Sequence, residues 1–318
     1  MSLYNINGEL IDTSPVSILD LGGKNDGTED IGAIINANTA SMAIYLPIGK
    51  YLVTTPITLT HSLFGANSIE YFSSSSVSIL DKTATTIISG LASGDIIKTV
   101  GTSGAITISN INIVCNDDEN AINVGSATRV RISGVSIYKL GDAKGIYASA
   151  RFSANAYLNN VYIYAGKNKE SVGIDFTGTV DCRIADTGIL FCQVGAKLDG
   201  MHYLSNVHIW TGSDSNITKA WYDNTVAIYG GTSALIFGTN VYVDSAYNLL
   251  YFKAGARMWI TNLMTWDDGT GASLEDTIHL TQKEGTAYLY VNGGCYNSTG
   301  RITPGTDATN QLVNFVGV

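Results

Sequence analysis

A chain of 318 residues with a net charge of -9 is poorly suited to holding a nucleic acid through its phosphates, and no apolar run reaches the ~18 residues of a membrane span. Only 14% of residues are charged, and 34 Gly stand against 4 Pro amid abundant Ser, Thr and Asn, the profile of short strands and tight turns rather than helices. The four Cys and four His show no ligand spacing, so no metal and no cofactor is expected and the cysteines are expected as reduced packing residues.

Residues 1–15 are expected as an extension and residues 16–60 as a cap with a first coil. A helix fits Glu29 to Asn38: Thr28 can serve as N-cap, Glu29 and Asp30 load the first turn with negative charge, and Ile31, Ala33, Ile34 and Ile35 supply apolar surface. Strands are expected at Ala43 to Leu46 and Tyr51 to Val53, with Pro47, Ile48 and Gly49 turning between them. A short helix here would close the open end of a stacked fold, where unpaired backbone invites association.

From residue 61 to about 300 one pattern recurs. Ile106–Val114, Val130–Tyr138, Ala156–Tyr164, Ile184–Phe191, Met201–Trp210, Leu235–Val243 and Met258–Trp266 read apolar, two residues that include Asn or Gly, apolar, any, apolar. That is period two with one skipped residue, so each strand bends and resumes with the same face buried. Asn110, Gly134, Asn160, Asn206, Asn240 and Asn262 are expected at the bend, with another near position 187, because Asn and Gly enter the left-handed region most cheaply. A second strand is expected in each coil, at Ile122–Val124, Gly145–Ala148, Gly173–Phe176, Gly195–Leu198, Ala220–Tyr222, Leu249–Phe252 and Thr277–Leu280. With uneven repeat length and mostly Ile and Val inward, this predicts an all-β, single-stranded right-handed parallel β-helix; six steps would stack to roughly 29 Å. Residues 301–318 are expected as a tail.

Asp20-Leu-Gly-Gly-Lys-Asn-Asp-Gly-Thr-Glu-Asp30, followed by Ala33-Ile-Ile-Asn36 and Tyr45-Leu-Pro-Ile-Gly-Lys-Tyr-Leu-Val53, resembles the opening of pectate-lyase-superfamily (pectin-lyase-like) β-helix proteins. That group includes bacteriophage tailspikes and related polysaccharide depolymerases. The resemblance implies a polysaccharide partner, an extracellular or virion-associated setting and, as in tailspikes, a homotrimer. No catalytic set carries over, since the chain lacks the G-H-G of polygalacturonase-like members; Asp20, Asp26, Glu29 and Asp30 read as turn and cap residues.

Side chains flanking the inward pairs point outward, which predicts one column of Tyr138, Tyr164, Cys192, Trp210, Asp244 and Trp266 and another of Ser136, Tyr162, Leu190, His208, Tyr242 and Met264. Aromatic rings there offer apolar faces to sugars, or pack against a loop or a second subunit. Asp244 stands where adjacent copies carry Trp210 and Trp266, and Asp267 and Asp268 follow Trp266. One coil apart, Asp244 and Asp267 would lie near the ~5–5.5 Å separation of retaining glycosidases. The expected site therefore has Asp244 and Asp267 as the acid and nucleophile, Asp268 in support, and Trp210, Trp266, Tyr164, Tyr242 and His208 on the sugar. Two alternatives stand beside glycoside hydrolysis: β-elimination from a uronic-acid polymer with His208 as base and Tyr242 or Tyr162 as acid, and glycan binding without catalysis. Asp175, Asp199 and Asp223, with Lys197 nearby, form a second acidic set on the other strand column.

Overall fold

Each repeat is a long strand bent at its middle by a left-handed residue. The computed structural model describes residues 3–4, 10–11, 14–69, 83–101, 104–125, 127, 129–148, 155–177, 181–212, 217–266, 279–283 and 287–297. The expected tail, 301–318, lies outside these residues, as do Asp267 and Asp268. Among the described residues the strands Ala105–Asp117, Arg129–Leu140, Asn155–Ala165, Cys182–Leu190, Met201–Trp210, Leu235–Asp244, Arg257–Trp266 and Tyr288–Asn297 run parallel, each paired with the next. Their register is continuous through Ile108, Ile132, Leu158, Ile184, Leu204, Gly238, Ile260 and Val291. The chain is a parallel β-helix.

The corners sit where Asn and Gly predicted them. Asn110, Gly134, Asn160, Asn206, Asn240 and Asn262 have φ between 52° and 58°, and Gly293 continues the series at 73°. In the irregular coil the corner is Asp186 (φ 47°), one residue before the expected position; Asp also tolerates the left-handed region because its short side chain bonds locally. The chain bends there without losing alternation, so Leu158 and Val161 on either side of Asn159 and Asn160 both point inward. Stacked Ile, Val and Leu form one apolar column from Ile18 to Val291.

A second parallel sheet completes each coil, with strands Glu119–Asn123, Lys144–Tyr147, Val172–Phe176, Val194–Leu198, Val226–Gly230, Asn248–Phe252 and His279–Lys283 in succession. One expected strand is corrected here. Ala220–Tyr222 belongs to a short helix, Lys219–Tyr222, started by Thr218, whose hydroxyl accepts from Trp221 N at 3.4 Å. The strand of that coil is Val226–Gly230 instead; the longest interval between corners, from Asn206 to Asn240, leaves room for the extra turn.

The N-terminal helix spans Ile31–Asn38 and its cap is Asp30 rather than Thr28. Thr28 remains in the strand Asp26–Asp30, where its N–H and hydroxyl donate to Asp26 at 2.9 and 2.6 Å. Asp30 Oδ1 accepts from Gly32 N at 3.0 Å and from Thr54 N at 2.9 Å, so one carboxylate starts the helix and binds it to the first coil. Burial opposes the charge on Asp30, but hydrogen bonds from Thr55, Thr54 and Gly32 outweigh it and hold the carboxyl below its usual range. Cys115, Cys182 and Cys192 are buried reduced thiols, and burial pushes Cys192 up to about 12, which leaves it unreactive.

Candidate functional site

Strand alternation delivers two outward columns on the long-strand sheet. Register places Tyr164, Leu190, Trp210 and Asp244 in the first, and Ser136, Tyr162, Gly188, His208, Tyr242 and Met264 in the second. Leu190 and Gly188 stand where Cys192 and Leu190 were expected, because the corner falls at Asp186.

The first column is largely covered. Leu190, Phe191, Ile217, Trp221 and Tyr222 form a small second core outside the coil, and Tyr162, Tyr164 and Trp210 pack against it half-buried. Phe191 meets Tyr164 edge-on at 5.2 Å and Trp210 at 4.7 Å, while Trp221 Nε1 donates to Lys169 O at 2.6 Å and ties the short helix down. Tyr164 and Trp210 thus present their rings to protein. Tyr138 is buried, and its hydroxyl donates to Ile69 O.

At the end of this column Asp244 is 7% exposed, with Oδ2 3.1 Å from His208 Nε2. Its Oδ1 is buried with no hydrogen-bond partner among the described residues. The His208 side chain is 43% exposed and stacks on Tyr242, centroids 4.5 Å apart and planes at 13°. Donation from Nε2–H to the carboxylate assigns the tautomer and leaves the Nδ1 lone pair to accept a proton. The sequence brought Asp244, His208 and Tyr242 to one face, and the structure joins them. Trp266 is placed opposite Asp244 by backbone register.

Gly188 carries no side chain in the second column. With strands ~4.8 Å apart, the backbones of Tyr162 and His208 stand about 9.6 Å apart along the stack, and the Tyr162 ring leans over Gly188, 3.0 Å from where a Cβ would sit. A cleft of about 240 Å³ lies there, lined by Asn160, Tyr162, Asp186, Thr187, Asn206 and His208. That is below the ~300–1,000 Å³ of drug-sized pockets and suits a single ring unit of a longer ligand. Asp186 is exposed, and its carboxylate accepts from Asn159 Nδ2 at 3.0 Å and Asn206 Nδ2 at 2.9 Å. Asp186 and Gly188 were not singled out in the sequence; a corner read one residue earlier would have found both.

A third outward column stacks Tyr203, Phe237, Trp259 and Tyr290 with centroids 5.4, 5.0 and 5.4 Å apart. Ring faces are spent on one another, so the column offers edges to its surroundings. Tyr203 and Phe237 remain 38% and 36% exposed.

No protein-family model and no curated protein sequence matches the chain. Among solved structures it is similar to tailspike protein 2 of Escherichia coli O157:H7 bacteriophage CAB120, with TM-score 0.62 and 14% identity over 93% of this chain and 40% of that one. It shares that fold. The enzymatically active domain of tailspike protein 4 of bacteriophage CBA120 aligns with TM-score 0.61 and 15% identity over 98% of this chain and 44% of that one. The catalytic unit of a thermostable α-1,3-glucanase from Streptomyces thermodiastaticus aligns with TM-score 0.56 and 13% identity over 91% and 65%. The chain therefore spans 40% to 65% of the length of these structures.

Proposed function

We propose that the chain binds a polysaccharide across the outer face of its long-strand sheet and cleaves it at the Gly188 cleft, as an extracellular or virion-associated protein. The observation that carries the proposal is the His208–Asp244 pair at 3.1 Å, facing a gap of single-ring size. For elimination, the mostly buried Asp244 positions the imidazole, and the half-exposed His208 takes the proton. In β-elimination from a uronate unit, Nδ1 of His208 removes the proton beside the carboxylate and a tyrosine hydroxyl, Tyr162 or Tyr242, protonates the departing oxygen. The tailspike and glucanase structures that share the fold support a polysaccharide as substrate.

Hydrolysis is the second possibility: Trp266 lies beside Asp244 in register, and Asp267 and Asp268 follow Trp266 in the sequence. In that case Asp244 and Asp267 are the acid and nucleophile, with Asp268 in support. Incubation with capsular, cell-wall and plant polysaccharides separates the chemistries: new reducing ends without ultraviolet absorbance mark hydrolysis, and the absorbance of an unsaturated uronate marks elimination. Binding without either would leave a glycan-binding module. The exposed edges of Tyr203, Phe237 and Trp259 form the face through which we propose the chain assembles as a homotrimer.

A further inference from the structure

The nine-stranded sheet carries a larger cleft, about 510 Å³, within the range of small-ligand pockets. Lys197, Tyr229 and Tyr251 come to it from successive coils, and Asn248 and Asp223 also line it. Three independent features bear on what it holds.

The first is an unsatisfied acceptor. Asn248 is only 6% exposed, and its Oδ1 is buried without a hydrogen-bond partner among the described residues, while its Nδ2 reaches Thr225 O at 3.5 Å. A buried carbonyl left without a donor costs free energy that a ligand hydroxyl would recover. The second is the wall. Tyr229 stacks on Tyr251 with centroids 5.4 Å apart and planes at 6°, and Lys197 Nζ lies 5.6 Å from the Tyr229 centroid, so the cation and the ring pair form one surface. The apolar side chains of Val194 and Val226 extend it.

Charge is the third. The chain as a whole carries -9, yet the carboxylates around this cleft are already engaged. Asp175, the coil neighbour of Lys197, is bound by Lys144 at 2.7 Å, and Asp223 is bound by Lys219 at 2.7 Å. Lys197 is thereby left facing the cleft as a site for an anion.

We infer that this cleft is a saccharide-binding site for an acidic sugar unit, a hexuronate. Its carboxylate meets Lys197, a ring hydroxyl donates to Asn248 Oδ1, and the C–H face of the pyranose lies against the valines and tyrosine edges. This does not rest on cleavage at His208: the site is on the other sheet and would retain a polymer strand whether or not that strand is cut.

The test is ligand-observed NMR titration of the full chain with glucuronate, galacturonate, glucose and galactose. Both uronates should bind, and glucose and galactose about tenfold more weakly, the loss of one charge-assisted contact. Lys197→Met, a surface change, should weaken uronate binding by about tenfold, and Asn248→Ala by about fivefold with an unchanged circular dichroism spectrum. His208→Ala should leave uronate affinity within about twofold, which distinguishes failure of this site from failure of the catalytic proposal. Absence of uronate binding, equal binding of the neutral sugars, or undiminished binding in Lys197→Met overturns the inference.

Discussion

Asn240 donates from Nδ2 to Oδ1 of Asn206 at 3.0 Å, and both residues are left-handed, with φ of 52° and 53°. Asn262 donates to Asn240 at 3.0 Å and Asn206 to Asp186 at 2.9 Å, so each amide offers its N–H towards the preceding coil. The series ends at Asp186 because a carboxylate only accepts, and Asp186 takes a further bond from Asn159. The ladder that turns the corners is thus also one wall of the cleft at Gly188.

Replacing Asn240 tests that ladder. Asn240→Ala combines a left-handed penalty of about 1–2 kcal/mol with two lost hydrogen bonds, to Asn206 and from Asn262, worth ~1 kcal/mol each, so chemical denaturation should show a loss of about 3–4 kcal/mol. Asn240→Gly keeps the backbone freedom and should lose only the two hydrogen bonds, about 2 kcal/mol. Equal losses in the two variants would assign the cost to the side-chain ladder alone.

Filling the gap should stop chemistry with little loss of fold. A Cβ at position 188 would lie 3.0 Å from Tyr162 Cδ2, so Gly188→Ala displaces the ring slightly, whereas Gly188→Leu fills the cleft. Polysaccharide cleavage should persist in the first and vanish in the second, with melting temperatures of both near wild type. An active Gly188→Leu enzyme would remove the cleft from the mechanism.

Acid should destabilise the protein through His202. Its ring is fully buried against Phe176, Nε2 lies 3.0 Å from Asp199 O, and Nδ1 has no partner among the described residues. Burial pushes its pKa below the ordinary 6.5, against a smaller opposing pull from Asp199. The unfolded chain takes up a proton near pH 6.5 while the folded chain does not, so stability is full above that pH and falls as pH drops towards the lower folded value. The slope approaches about 1.4 kcal/mol per pH unit, and His202→Gln should flatten it in denaturation curves taken at successive pH values.

The aromatic edge column should govern assembly. Light scattering of the wild-type chain at micromolar concentration should give the mass of a trimer, and Phe237→Lys should shift it to monomer. A wild-type monomer would end the trimer proposal.

Repeats and corners were legible because they are local. A buried apolar residue on each side of an Asn or Gly fixes both the bend and the buried face, and this held at Asn110, Gly134, Asn160, Asn206 and Asn262. Interruptions were less legible. Ala220–Tyr222 alternates like a strand, yet Thr218 caps a helical turn there, and only tertiary contact reveals that Trp221 and Phe191 cover Trp210. The corner at Asp186 escaped the Asn and Gly pattern, and the outward positions of that coil were expected two residues late, which hid Gly188 and its cleft. The joining of His208 to Asp244 depends on a diagonal between two coils, which no spacing along the chain displays.

The most direct measurement is the cleavage rate of wild type, His208→Ala, Asp244→Asn and Asp267→Asn on the polysaccharide panel, with circular dichroism as the check on fold. We predict that His208→Ala lowers the rate by about 10²–10⁴ and that Asp244→Asn lowers it by at least about tenfold, both with an intact β spectrum. Wild-type rates in both variants, or no cleavage of any polysaccharide by the wild-type chain, would contradict catalysis by the His208–Asp244 pair.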